Sequence, residues 1–245
     1  MRTILSAKGV CVLVATVFSW TGLAHAEDSK DVSIMEGVRS VTFEHAGKTV
    51  TIDRIQDQNN SLTGGFAKTS RACPPFCVHP MLAAPRVTTV GELEVLEFLK
   101  NKVATDTGLL VDARAPSFYE KGTIPGSVNI PFTVFAKRSS DPDFVRTMIR
   151  LGVKRGTTVN YSNMNYHGTD GLGDPLREYA WDFSSAKELL LFCNGPWCDQ
   201  STRAIKGLIQ AGYPSNKLSY YRGGMNLWLL LGFNVEVPGD VQAVK

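Results

Sequence analysis

Two thiols, Cys193 and Cys198, close the stretch "LLLFCNGPWC". Between them lie Asn194, Gly195, Pro196 and Trp197, and Asp199 follows. A continuous apolar run leads into the loop, the pattern of a strand buried on both faces of a parallel sheet. "DQSTRAIKGLIQAGY" leads out of it and reads as a helix with Ala204, Leu208 and Ile209 turned inward. Ligands of parallel α/β sheets bind outside the carboxyl ends of the strands, and Cys193 falls at such an end. The helix behind it offers free N–H groups and the positive end of its dipole. A thiol so placed is expected to ionise near neutral pH. The prediction is a nucleophile, Cys193, in an anion cradle formed by the backbone of residues 194–199, apart from Pro196, which has no N–H.

Cys198 has three readings. It pairs with Cys193 in an inert disulfide, or it works with Cys193 by thiol–disulfide exchange, or it only fills the loop. A second close pair, Cys73 and Cys77, sits in "CPPFCVHPM". It reads as a local disulfide, as a redox or sulfur relay to the Cys193 loop, or, with His79 and Met81, as a soft site for copper(I). Spacing leaves these open. Zinc-ribbon spacing is absent, and no Gly-rich phosphate loop or dinucleotide fingerprint occurs, so neither a metal nor an organic cofactor is expected.

The start of the chain reads as an export signal. Arg2 and Lys8 precede the apolar stretch from Val10 to Leu23, and Ala24-His25-Ala26 matches a small-x-small cleavage site. Cleavage after Ala26 removes Cys11 and leaves Cys73, Cys77, Cys193 and Cys198, in a compartment where disulfides persist. It also leaves 24 basic against 23 acidic residues, a net of +1. That balance gives no reason to expect nucleic acid, or a membrane once the signal is gone. The export reads as bacterial, which places the protein in the periplasm. The sequons at Asn59 and Asn160 matter only in a eukaryotic secretory pathway.

Three regions are expected: a signal over 1–26, an extension over 27–85, and a domain over 86–240. The extension holds a β-hairpin in "RSVTFEHAGKTVTIDRI" and the proline-rich Cys73–Cys77 segment. In the domain, Thr89 to Glu92 has capping-box spacing, with Leu93, Leu96, Leu99 and Val103 on one helical face. "GLLVDARA", "ELLLFC" and "KLSYYRGG" read as strands, "PDFVRTMIRL" and "MNLWLLLGF" as helices. Strands alternating with helices predict an α/β fold with a mostly parallel sheet. The aromatic, Gly-rich segment at about 160–183 breaks this rhythm and reads as an ordered insertion.

Three motifs in this order resemble the rhodanese-like sulfurtransferase family. "VDARAPSFYEKGTIPGSVNIP" is similar to its D-x-R and Y-x-x-G-x-I-P-G-A-x-N-I-P pattern. "LLLFCNGPWCDQS" is similar to its active-site loop, and "YYRGGMNLW" to its closing G-G-x-x-x-W. The resemblance covers about residues 88–236. It implies a rhodanese-like parallel sheet flanked by helices, here with an N-terminal β-hairpin extension. It implies an enzyme of the thiosulfate sulfurtransferase type, in an exported single-domain form. Cys193 would take a sulfane sulfur as a persulfide, and Asn194, Gly195, Trp197, Cys198 and Asp199 would line the substrate site. The partners would be a small sulfur-donor anion and a thiol acceptor. Family members often carry Arg or Lys in this loop, and this chain does not; Arg222, Arg203 and His167 are the candidates to replace it. Phosphatases on the same fold need an arginine six positions after the cysteine, where this chain has Asp199. Asp112 and Arg114 are expected to fix loops, Gly223 and Gly224 to allow close backbone approach, and Trp228 to sit in the core. The rival reading is a periplasmic thiol–disulfide, sulfur or copper carrier that works through Cys193/Cys198 and Cys73/Cys77. Oligomeric state is not readable from the sequence.

Overall fold

The computed structural model describes residues 31–160 and 177–239. The expected signal at 1–26 and the middle of the expected insertion, with His167, lie outside them.

Among the described residues, nine strands and five α-helices follow the order β1 (Ser40–His45), β2 (Lys48–Asp53), β3 (Thr88–Val90), α1 (Glu92–Phe98), β4 (Gly108–Asp112), α2 (Pro116–Tyr119), β5 (Val128–Asn129), α3 (Pro142–Arg150), β6 (Lys154–Asn160), β7 (Arg177–Asp182), β8 (Glu188–Phe192), α4 (Gln200–Gln210), β9 (Leu218–Tyr221) and α5 (Gly224–Leu230). The central sheet has the order β3-β9-β8-β4-β5. Each of its pairings is parallel. This is the α/β sheet flanked by helices that the sequence predicts.

The apolar run of β8 has a direct cause. Leu189 and Leu191 point into one core layer, with Phe144 and Met148 of α3 and Ala204, Ile205 and Leu208 of α4. Leu190 and Phe192 point into the other, with Val95, Leu96 and Leu99 on one side and Met225 and Trp228 of α5 on the other. A strand covered on both faces cannot alternate apolar with polar residues. Burying each of these leucines stabilises the fold by about 2 kcal/mol.

The hairpin forms where expected, with Val41 opposite Ile52 and Phe43 opposite Val50. Ala46 and Gly47 both have positive φ, 50° and 74°, the geometry of a two-residue hairpin turn. Phe43 and Ile52 are buried in the second core layer. The N–H of Ile55 donates to the Gly232 carbonyl at 2.7 Å, and that of Asn234 to the Asp53 carbonyl at 3.0 Å. The extension thus supplies part of the core, which its polar flanks do not suggest.

One local expectation needs correction. The first helix starts at Glu92 with Gly91 as its cap, and the Gly91 N–H donates to Glu94 at 3.0 Å. The start lies past Thr89, so Val95 is buried and Leu93 is 47% exposed. Thr89 instead donates its hydroxyl to the Met81 carbonyl. The ends of the expected insertion are strands: β6 pairs antiparallel with β7 as a two-stranded ribbon.

Candidate active site at the Cys193 loop

β8 ends at Phe192 and delivers Cys193 to the carboxyl edge of the sheet. The loop then folds back on itself, with the Cys198 N–H donating to the Gly195 carbonyl at 2.9 Å. The first turn of α5 holds this loop from the side. The N–H of Met225 donates to the Cys193 carbonyl at 3.0 Å, and that of Asn226 to the Asn194 carbonyl at 2.9 Å. This grip requires Gly224: its φ is +53°, and a Cβ there would lie 2.3 Å from the Cys193 carbonyl oxygen. A Cβ on Gly195 would meet Asn226 at 3.0 Å and the Trp197 ring at 3.1 Å.

Cys193 and Cys198 are both free thiols. Cys193 is 2% exposed and Cys198 8%. The Cys193 sulfur accepts from the Ser201 hydroxyl at 3.1 Å, and its S–H lies 3.2 Å from the Cys198 carbonyl oxygen. The acidities of the two thiols are driven apart. Burial pushes Cys193 well up, and the neighbouring Cys198 thiol adds to this; the Ser201 hydroxyl and N–H oppose it. Cys198 is brought down to about 7, first by the bond from Cys193, then against burial by the N–H groups of Asn194 and Gln200. The amides at the start of α4 serve both sulfurs, and the one nearer water takes the charge because desolvation penalises it less.

A cleft of about 550 Å³ opens over this loop. Asn194, Trp197, Cys198, Asp199 and Gln200 form one wall. Phe118 and Lys121 follow β4 on another, and Met225 and Leu229 of α5 close a third. The roof comes from the extension: Gly65, Phe66, Arg71, Pro75 and Phe76. Two contacts seat that roof. The His79 N–H donates to the Pro196 carbonyl at 2.9 Å, and Arg222 donates to the His79 carbonyl at 2.8 and 3.2 Å.

Cys73 and Cys77 form a disulfide within this roof. It consumes the two thiolates that a copper site with His79 and Met81 would need. No group of three or more His, Cys, Asp or Glu residues fit to hold a metal occurs among the described residues.

Of the residues expected to replace the missing loop cation, Arg222 and Arg203 do not line the cleft, and His167 lies outside the described residues. Arg222 is bound to the His79 carbonyl. Arg203 lies over the Phe132 ring at 4.3 Å, with its guanidinium 4.0 Å from Asp199. The cations that line the cleft are Arg71, Lys121 and the paired Arg114. Only the position of Arg71 beside the cysteine pair hinted at this.

Asp112 and Arg114 form a buried bidentate pair at 2.6 to 3.1 Å. Arg114 also donates to the Gly122 carbonyl, and the Thr123 hydroxyl to Asp112. The pair ties the chain between β4 and β5 to the sheet edge. Trp228 is fully buried and stacks on Phe233 at 4.3 Å.

Residues 95–231, more than half of the chain, match the family model described as the rhodanese-like domain, and the chain belongs to that family. Among solved structures it is similar to a protein from Bacillus halodurans, at 18% identity and TM-score 0.39, over 61% of this chain and 76% of that one. It is similar to the human single-domain sulfurtransferase at 19% identity and TM-score 0.34, over 58% and 96%. A thiosulfate sulfurtransferase from Pseudomonas aeruginosa matches at 18% identity and TM-score 0.34, over 61% of this chain and 20% of that one. No curated protein matches the sequence.

Proposed function

We propose that this chain is an exported sulfurtransferase that carries a sulfane sulfur on Cys193 and hands it to a thiol. The observation that carries the reading is the thiol pair at the start of α4, with Cys193 buried and Cys198 on the wall of a cleft that Arg71, Arg114 and Lys121 also line. Cys193 gives its proton to the Cys198 thiolate and attacks the outer sulfur of thiosulfate. The new bond joins Cys193 Sγ to that sulfur; the old S–S bond breaks, and its electron pair leaves with sulfite. An acceptor thiolate then attacks the outer sulfur, and Cys193 recovers the electron pair. Ser201 and the N–H groups at the loop hold the anionic persulfide. The Cys73–Cys77 disulfide supports a site of action in an oxidising compartment, the periplasm.

The test is reduction of the cleaved protein, anaerobic exposure to thiosulfate, and peptide mass mapping. One added sulfur on Cys193, absent from Cys193→Ser, is expected. No added sulfur on any cysteine would end the reading.

A second reading is favoured by one feature: two free thiols with separated acidity, the more acidic facing the cleft, fit a thiol–disulfide exchange pair. It requires both cysteines, whereas Cys198→Ser should still load sulfur on Cys193.

A further inference from the structure

We infer that the roof built by the extension makes this cleft an organic-anion site, with Arg71 as the clamp for the negative group and the aromatic walls as the seat of an apolar body. The inference rests on the sulfurtransferase reading for the role of the bound molecule, not for its binding. Arg71 stacks near two rings, its guanidinium carbon 4.6 Å from the centre of Phe76 and 5.0 Å from that of Trp197. All three line the cleft, where the guanidinium N–H donors can grip a sulfonate or carboxylate. The Arg71 Nε is buried, with no hydrogen-bond partner among the described residues. A buried donor left unpaired in a folded chain calls for a partner.

Bare thiosulfate does not account for the rest of the cleft. Its volume is that of a site for a small organic molecule. Phe66, Phe118 and Leu229 line it, and Lys121 stands beside Phe118, 5.9 Å from the ring centre. One carboxylate, Asp199, is also on the wall, turned toward Arg203. The fit is a donor with an apolar body, one negative group and a transferable sulfur. With an arene thiosulfonate, Cys193 bonds to the outer sulfur. The bond from that sulfur to the sulfonyl sulfur breaks, and its electron pair leaves on a sulfinate.

The probes are benzenesulfonate, which cannot transfer sulfur, and benzenethiosulfonate, which can. Calorimetry on the cleaved protein, with the Cys73–Cys77 disulfide intact, should detect benzenesulfonate at concentrations where sulfate gives no signal. Loss of a charge-assisted bond should weaken it about ten- to a hundred-fold in Arg71→Leu. Arg71→Lys, which keeps charge but not the planar faces, should fall between, and Phe118→Ala should weaken benzenesulfonate more than sulfate. Thermal unfolding of each variant checks that it is folded. Benzenethiosulfonate should show a lower KM than thiosulfate for loading Cys193. Benzenesulfonate binding no better than sulfate, or equally well to a folded Arg71→Leu, would overturn the inference. Binding as expected with no sulfur on Cys193 from either donor would support the site and remove the sulfurtransferase reading alone.

Discussion

The Cys193 S–H donates to the Cys198 carbonyl, its sulfur 3.2 Å from that oxygen, and the acidities of the two neighbouring thiols are driven apart. On the proposed reading the loop works as a pair, with the deep sulfur as carrier and the shallow one as proton acceptor.

The pair sets the pH dependence. A thiolate on Cys198, brought down to about 7, is present above that pH and lost as the pH falls through it. Sulfur loading at low donor concentration should therefore rise through a midpoint at about pH 7. Alkylation by iodoacetamide, mapped by mass, should modify Cys198 first with the same midpoint. In Cys198→Ser the acceptor is gone and burial holds the proton on Cys193, so the loading midpoint should move to higher pH. An unchanged profile in that variant would remove Cys198 from proton transfer.

Gly224→Ala tests how the loop is gripped. The added Cβ would fall on backbone, 2.3 Å from the Cys193 oxygen and 2.9 Å from the Gly195 nitrogen, at a φ that disfavours any side chain. Strain of this kind costs roughly 1–3 kcal/mol from the backbone alone. Thermal unfolding should shift down, and the folded remainder should load sulfur poorly because the Met225 bond to Cys193 is displaced. Normal loading and stability would mean that the first turn of α5 does not set the loop.

Arg114→Leu tests the pair at the end of β4. It leaves Asp112, fully buried, without its cation, and should cost about 3–5 kcal/mol in denaturant unfolding. Asp112→Asn with Arg114→Leu should cost less than Arg114→Leu alone, because no lone charge remains. An additive pair of losses would mean that the two side chains act separately.

The sheet was legible because burial leaves its mark on composition: "ELLLF" and "GLLVD" are apolar throughout since both faces are covered. The loop was legible for the same reason, as a polar turn with two cysteines ending such a run. The cap of α1 was misplaced because Gly91 works through its backbone and the Glu94 side chain, which a search for hydroxyl caps passes over. Which of the two thiols burial penalises more was not legible, because helix position is local and desolvation is tertiary. Arg71 was missed for a like reason. Its meaning depends on Trp197, more than a hundred positions away.

The disulfide gives the last test, of the roof rather than the core. Cys73 and Cys77 close a loop with a separation of 4 residues, and short loops give the smallest gain in stability, about 2 kcal/mol or less. Phe76 lies inside that loop and stacks near Arg71. Opening it frees Phe76 and loosens the clamp, while the sheet and the Cys193 loop keep their own contacts. Cys73→Ser with Cys77→Ser should therefore lower the unfolding temperature little and weaken benzenesulfonate several-fold, with sulfate unaffected. Circular dichroism and calorimetry on the same sample read both. Full affinity in the open form would mean that Arg71 is placed by Trp197 and the His79 contacts alone. A large fall in unfolding temperature would mean that the roof is part of the folding core.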